Sequence, residues 1–272
     1  MQHGGCGVVT FVDLPDGTRA AVKQLHAGGN PGMTSTFVHE VSSLELLPPH
    51  SNVITLLGHC WQCVGQYAMV FEHAPDGDLE RAGAQRLISS PSQAAAVLAD
   101  AGRGSAHLHA HDIAHADVKE ANMLLWLHGG EVTAKLADLG LCSALQGQQF
   151  VSSGAGTPGY RAPEVKAQTL CLASDVYSFA VTIGRALLNL EPRALLNMAQ
   201  RIKPHLSNEA NDRMLHVIRK RVAEKFGLIK LANSDVVDRI AMLCMTAVDS
   251  DITKRPSLAV VIAALHAVAH VK

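Results

Sequence analysis

A change of hydrophobic period at Pro75-Asp76-Gly77 constrains the fold of this chain more than any other feature. Before it, short apolar runs are separated by turn signals. Val8 to Val12 is one such run. Leu14-Pro15-Asp16-Gly17-Thr18 follows as a turn, because Asp-Gly tolerates the positive φ of a tight hairpin. Arg19 to Leu25 reads as the return strand, and Ala27 to Gly32 as a Gly/Pro loop. Thr34 to Leu47 places Phe37, Val41, Leu44 and Leu47 at helical spacing, and Pro48-Pro49 stops that helix. Val53 to Cys60 and Gln66 to Glu72 are two further strand candidates. Beyond Gly77 the pattern is helical. Helices are expected at Ser92–His111, Leu172–Leu190, Ser234–Val248 and Ser257–Val268, with short strands at Met123–Leu127 and Val132–Ala137. The Leu172–Leu190 segment is apolar on most sides, as a buried helix is. The expected fold is α+β: a small antiparallel sheet lobe with one helix, a short connector, and a larger, mainly helical lobe.

Composition narrows the class of function. The 272 residues suffice for two lobes with their own cores, and 48% hydrophobic with 17% charged residues describes a globular chain. The net charge of −1 gives no broad positive field, so bulk nucleic-acid binding is not expected. No signal peptide is expected at Met1. The longest apolar stretch, Leu258 to Val271, is interrupted by histidines and too short to span a bilayer. Six scattered cysteines follow no disulfide spacing, so a reducing, cytoplasmic setting is expected, which includes the intracellular part of a membrane receptor. Fifteen histidines read as composition bias rather than metal storage. Cys60-Trp61-Gln62-Cys63 lacks a second ligand pair for zinc and a helix start for redox chemistry. His107 and His111 stand at i, i+4, but belong with His109 and His115 to the approach to the motif described next. Cys6 reads as an incidental loop cysteine.

The run Ile113-Ala114-His115-Ala116-Asp117-Val118-Lys119-Glu120-Ala121-Asn122 resembles the catalytic loop of protein kinases, H-R-D-x-x-x-x-N. Ala137-Asp138-Leu139-Gly140 resembles the D-F-G motif. Gly156-Thr157-Pro158-Gly159-Tyr160-Arg161-Ala162-Pro163-Glu164 resembles the end of an activation segment, and Ala21-Val22-Lys23 the lysine strand. Their order and spacing cover nearly the whole chain. Leu14–Thr18 before the lysine strand, and Leu56-Leu57-Gly58-His59-Cys60, look like plant receptor-like kinases and the Pelle/IRAK group, with tyrosine-kinase-like kinases as neighbours. The resemblance implies a bilobal kinase fold, with 1–72 as the small lobe, 73–75 as the hinge and 76–272 as the large lobe.

It also implies roles. ATP brings clustered negative charge that must be neutralised and aligned. Lys23 would hold the α- and β-phosphates, fixed by Glu40. Asp138 and Asn122 would bind Mg²⁺, a hard cation that takes oxygen ligands and few protein contacts. Asp117 would orient the substrate hydroxyl and accept its proton, and Lys119 would stabilise the moving phosphoryl group. Lysine at that position resembles serine/threonine kinases. Val9, Ala21 and Leu124 would sandwich the adenine, Phe71 would be the gatekeeper, and Glu72 to Ala74 the hinge that reads the adenine edge. Leu44, Leu56, His115 and Leu139 would stack as a spine through both lobes. Glu164 would pair with Arg255, and Asp175 would anchor the catalytic loop. The partners implied are ATP, protein substrates bearing Ser or Thr, and an upstream receptor or scaffold.

Two departures matter. The glycine-rich loop keeps Gly4, Gly7 and Val9, but its first glycine would fall at Gln2 and Cys6 replaces the aromatic at its tip. Glycines there let backbone amides approach phosphates. Gln2 stands so early that the family's first strand is expected to be missing, truncating the small lobe at the loop and leaving its neighbour unpaired. Ala116 replaces the arginine of H-R-D, as in non-RD kinases, so phosphorylation at Ser152 or Ser153 is expected to leave catalysis little changed. The alternative to an active kinase is a pseudokinase, a scaffold or nucleotide-binding switch without turnover. Gln2, Cys6 and Ala116 favour it; Lys23, Glu40, Asp117, Lys119, Asn122 and Asp138 oppose it. A small-molecule phosphotransferase is disfavoured by the complete Gly156–Glu164 segment.

Overall fold

The computed structural model describes residues 2–4, 7–26, 31–62, 66–144, 155–201, 209–228 and 234–270. Cys6, Cys63, Ser152 and Ser153 lie outside them. The fold is bilobal and α+β. Among the described residues, five strands form the small-lobe sheet: β1 (Gln2–Gly4), β2 (Gly7–Asp13), β3 (Arg19–His26), β4 (Leu56–Gln62) and β5 (Gln66–Glu72), in the order β1-β2-β3-β5-β4. All neighbours run antiparallel. The β2–β3 hairpin turns where Asp-Gly requires it: Gly17 has φ +84°, and the Asp16 carboxylate accepts the Thr18 N–H at 2.9 Å.

The expected absence of a first strand is corrected. Gln2, His3 and Gly4 pair with Val9, Val8 and Gly7, so a short first strand is present, and it pairs with the first three residues of β2 only. A second correction concerns Val53. The strand expected from there starts only at Leu56, because Asn52 to Ile54 pair with the large lobe instead. Leu136 N–H donates to Asn52 O at 2.9 Å, and Ile54 N–H to Leu136 O at 2.9 Å.

Helix α1 (Pro31–Leu46) packs against β3, β4 and β5 of the sheet. Its Phe37 and Val41 join Ile54, Met69 and Phe71 in the small-lobe core. The large lobe begins with α2 (Leu79–Ala84), capped by Asp78, and α3 (Pro91–Ala110), capped by Ser90 with Pro91 in its first turn. Strands β6 (Ile113–Ala114), β7 (Met123–His128), β8 (Glu131–Leu136) and β9 (Ser143–Ala144) follow, β6 pairing with β9 and β7 with β8. Then come α4 (Pro163–Lys166), α5 (Leu172–Ala186), α6 (Pro192–Arg201), α7 (Glu209–Lys225), α8 (Ser234–Ala247) and α9 (Leu258–Ala269). Helices α6 and α7 go beyond the elements expected from sequence.

Helix α5 is the axis of this lobe: every residue from Ser174 to Gly184 is buried. Helix α3 packs so closely on α5 and α9 that a β-carbon on its Gly102 would stand 2.8 Å from Ile262 and 3.2 Å from Phe179. A third core cluster, of Leu47, Leu108, Ile113, Leu136, Leu139 and Cys142, lies at the junction of the lobes. Leu44 packs against both this cluster and the small-lobe core. No helix among the described residues is long and apolar enough to cross a membrane.

Candidate active site

The site is assembled where β3, α1 and the segment after β8 converge. Residues 21 and 23 share one face of β3, since side chains alternate along a strand. Ala21 faces Phe71 in register, and Lys23 faces Val9 and Met69. The Lys23 ammonium donates to both oxygens of Glu40, at 3.0 and 2.8 Å, and to Asp138 Oδ1 at 2.7 Å. Burial works against a charged lysine here, but the carboxylates of Asp138 and Glu40 outweigh it and hold Lys23 above the usual lysine range. Glu40 is buried, which raises its pKa against the pull of Lys23. With a cation 2.8 Å away, the ionised carboxylate is the state this geometry holds. Asp138 adopts a left-handed backbone conformation, φ 64°, and its side chain remains 47% exposed.

The second half of the site surrounds Asp117, which is 7% exposed. Its Oδ1 accepts the Thr157 N–H at 2.8 Å and the Thr157 hydroxyl at 2.7 Å. Its Oδ2 accepts from Lys119 at 2.6 Å, and from Asn122 Nδ2 at 3.3 Å. Asn122 Nδ2 also donates to the Asp117 carbonyl at 2.8 Å. Burial pushes the Asp117 pKa up, but the bonds from Lys119 and Thr157 overcome it and leave the carboxyl below its ordinary value. Lys119 donates in addition to Thr157 Oγ1, at 2.7 Å. Thr157 therefore bridges both charged groups, a role that sequence reasoning missed although the Gly-Thr signal was in view.

The loop is held from behind. Asp175 accepts from His115 N–H at 2.7 Å, Ala116 N–H at 2.9 Å and the His109 ring at 2.9 Å. These donors hold the buried carboxyl below its usual range against burial. His115 is fully buried. Its Nδ1 accepts the Asp117 N–H at 3.2 Å while Nε2 donates to Ala137 O at 3.1 Å, which fixes the neutral tautomer. Ala116 has φ 68°, unusual for a residue with a β-carbon. Glu164 takes a two-pronged ion pair from Arg255, at 2.6 and 2.8 Å, plus the Ser174 hydroxyl at 2.7 Å.

The remaining predicted positions fall around these two clusters. Phe71 is buried and Leu124, half-buried, packs against the same small-lobe core as Ala21. Glu72 ends β5, and Ala74 lies between β5 and α2. Gly4 and Gly7 face one another across β1 and β2. Leu139 is fully buried beside Leu44, so the apolar contact expected of it is made. His107 and His111 are engaged by backbone carbonyls, of Pro48 at 2.8 Å and of His107 at 2.9 Å. Among the described residues no group of three or more His, Cys, Asp or Glu could hold a metal ion. Asp138 and Asn122 offer a different donor set, a half-exposed carboxylate and a carboxamide. Hard oxygen donors in that small number fit Mg²⁺, which retains most of its water.

The protein kinase domain family matches residues 3–269. Receptor-like kinase TMK4 of Arabidopsis thaliana is 36% identical over 200 residues, 67% of this chain and 20% of the relative. Cysteine-rich receptor-like protein kinase 38 of the same plant is 30% identical, covering 96% of this chain and 40% of the relative. Serine/threonine-protein kinase BRI1-like 2, also from Arabidopsis thaliana, is 33% identical, covering 71% of this chain and 17% of the relative. The chain thus spans less than half the length of these relatives. With motifs, fold and relatives in agreement, the chain belongs to the protein kinase family.

Proposed function

We propose that this chain transfers the γ-phosphate of ATP to serine or threonine hydroxyls of protein substrates. The observation that carries the reading is the pair of linked networks: Lys23 with Glu40 and Asp138, and Asp117 with Lys119, Asn122 and Thr157. In this reading residues 1–72 form the small lobe, 73–75 the hinge and 76–272 the large lobe. Val9, Ala21 and Leu124 enclose the adenine, Phe71 guards its inner edge, and the backbone from Glu72 to Ala74 reads its rim. Gly4 and Gly7 let backbone amides approach the phosphates. Lys23, kept charged and oriented by Glu40, holds the α- and β-phosphates. Asp138 and Asn122 would hold Mg²⁺, which would supply charge that offsets that of the phosphates.

Asp117 accepts a hydrogen bond from the substrate hydroxyl and takes its proton as the oxygen attacks phosphorus and the bond to the leaving ADP oxygen breaks. Its lowered pKa keeps it ionised and ready at neutral pH. Lys119 offsets charge on the phosphoryl oxygens in flight. Lysine at this position, together with the serine/threonine-protein kinase among the relatives, supports Ser/Thr specificity. The receptor-like names of the relatives support a place in signalling, on the cytoplasmic side of a receptor, beside an upstream receptor or scaffold.

Ala116 favours the second reading, a nucleotide-binding scaffold, because it offers no side chain to order an activation segment. One assay separates the two: phosphate transfer from Mg·ATP to a generic basic protein, with Asp138→Asn as control and phosphoamino-acid analysis of the product. Transfer to Ser or Thr that vanishes in the control supports the kinase. Silence in the wild-type chain overturns it in favour of the scaffold.

A further inference from the structure

Lys135 lies on β8, directly across from Leu124 in the β7–β8 register and three residues before Asp138. Its ammonium reaches into the other lobe. It donates to Glu72 Oε1 at 2.7 Å and to Oε2 at 2.8 Å, at the last residue of β5. Glu72 is tied to its own lobe as well. Its Oε1 accepts the Thr55 N–H at 2.8 Å, and its N–H donates to Thr55 O at 3.1 Å. The ring of Trp126, on β7, lies 5.2 Å from the ammonium and shields one side of the pair. The side chains are 22% and 24% exposed.

An ion pair of that exposure contributes little to global stability. Its position is what distinguishes it. One end is the residue from which the chain leaves the small lobe. The other sits on the strand that delivers Asp138 and is paired with Leu124. The backbone bonds Leu136 N–H to Asn52 O and Ile54 N–H to Leu136 O lie alongside it, so β8 grips the small lobe at two neighbouring places. A shift of Glu72 relative to β8 would change the gap between the hinge backbone and Leu124, the two surfaces assigned to the base.

We infer that the Glu72–Lys135 pair is a strap between the lobes that fixes the width of the adenine slot, which makes Lys135 a positioning residue for nucleotide affinity. This rests on the kinase reading above. Lys135 acts through Glu72, and the slot is gripped alike in ground state and transition state. Loss of the strap therefore weakens nucleotide binding without slowing transfer.

The test is a set of four proteins, wild type, Lys135→Met, Glu72→Gln and the double variant, with Lys135→Arg as rescue. KM for ATP, kcat, Mg·ADP affinity and melting temperature are measured for each. Lys135→Met is expected to raise KM and the Mg·ADP dissociation constant together by about two- to fivefold, the scale of a partly shielded ion pair. The kcat is expected to stay within about twofold, because the interaction is not made selectively in the transition state. Lys135→Arg, which keeps a two-pronged contact, is expected near wild type. The double variant is expected to be no worse than the worse single one, as for two halves of one contact. Unchanged nucleotide affinity in Lys135→Met, a fall in kcat at constant KM, or strictly additive effects in the double variant each overturn the strap. A wild-type chain that binds no Mg·ADP removes the kinase reading and the strap together. A wild-type chain that binds it while every variant matches removes the strap alone.

Discussion

Gly156 lies against Ala116 so closely that a β-carbon on Gly156 would overlap the Ala116 carbonyl oxygen. Both residues have positive φ, 89° and 68°. The activation segment and the catalytic loop therefore meet backbone to backbone. Gly156→Ala adds a clash to a torsional penalty, together about 1–3 kcal/mol or more. It is expected to lose phosphate transfer and to melt earlier. Ala116→Gly removes a β-carbon from a left-handed position and is expected to melt no earlier than wild type, since alanine at positive φ is itself unfavourable. Differential scanning calorimetry of the two variants checks this; an unchanged Gly156→Ala protein would contradict the contact.

Thr157 holds Asp117 and Lys119 in one arrangement through its hydroxyl. A hydrogen bond to a charged group is worth about 1.5–3 kcal/mol, and ~1.4 kcal/mol is tenfold in rate. Thr157→Val is expected to lower kcat by about 10–100-fold and to melt a few degrees earlier. Thr157→Ser is expected to restore most of it. Steady-state kinetics of the two decides, and equal rates for valine and serine would remove the role.

The Arg255 side chain is 1% exposed and that of Glu164 15%. Removing one partner of a buried ion pair typically costs about 3–5 kcal/mol, because the other is left uncompensated. Arg255→Met should therefore show a much lower urea midpoint. Arg255→Lys is expected to recover only part, since a single ammonium cannot reproduce the two-pronged contact. A midpoint near wild type for Arg255→Met would refute this.

His50 is expected to make stability fall on acidification. Its Nδ1 accepts the Asn52 N–H at 3.1 Å, so a second proton there must displace that bond. Its ring stacks on His107 at 4.6 Å, and His107 meets His111 at 4.7 Å. Burial, then His107 and Arg103, hold His50 below the ordinary imidazole value. Beyond Arg103 stand Asp100 and His266, each bonded to it. A histidine with a lowered folded pKa binds fewer protons than in the unfolded chain. Its contribution is complete above about pH 6.5 and is lost as pH falls through the folded value. Urea midpoints at pH 7.5 and 5.5 should drop less for His50→Asn than for wild type. Equal drops would count against it.

Ala116 supplies no guanidinium to a phosphorylated activation segment. Replacing Ser152 and Ser153 by Ala or by Asp is accordingly expected to change turnover by less than tenfold, a span of about 1.4 kcal/mol in barrier. A larger change in either direction would show another route of coupling.

Much of the site was legible because its residues lie in short runs with fixed spacing. Lys23 and Glu40 are far apart in sequence, and the pairing the resemblance implied for them is present; the contact of Lys23 with Asp138 was not read from the sequence. What stayed hidden are contacts that no local pattern encodes. Thr157 is 40 residues from Asp117, and Lys135 is 63 from Glu72. Val53 carries the period of a strand, but the period does not say that its neighbours bond to Leu136 rather than extend β4. Strand β1 is three residues long, too short for any alternation to register. Helix α7 places Ile218 and Val222 at helical spacing amid many charges, and an amphipathic stripe of that kind is easily diluted.

Asp175 has a consequence for the order in which this protein can be made. The carboxylate that receives His109, His115 and Ala116 belongs to a residue 60 positions after His115. On a ribosome the catalytic loop emerges first and waits, at ~5–20 residues per second, for several seconds before its anchor exists. Until α5 has left the exit tunnel, the two backbone N–H groups have no such acceptor, and the loop has no reason to take its working shape. The nascent small lobe can thus be complete while the chain is still incapable of chemistry, and competence arrives only with the helix at the heart of the second lobe.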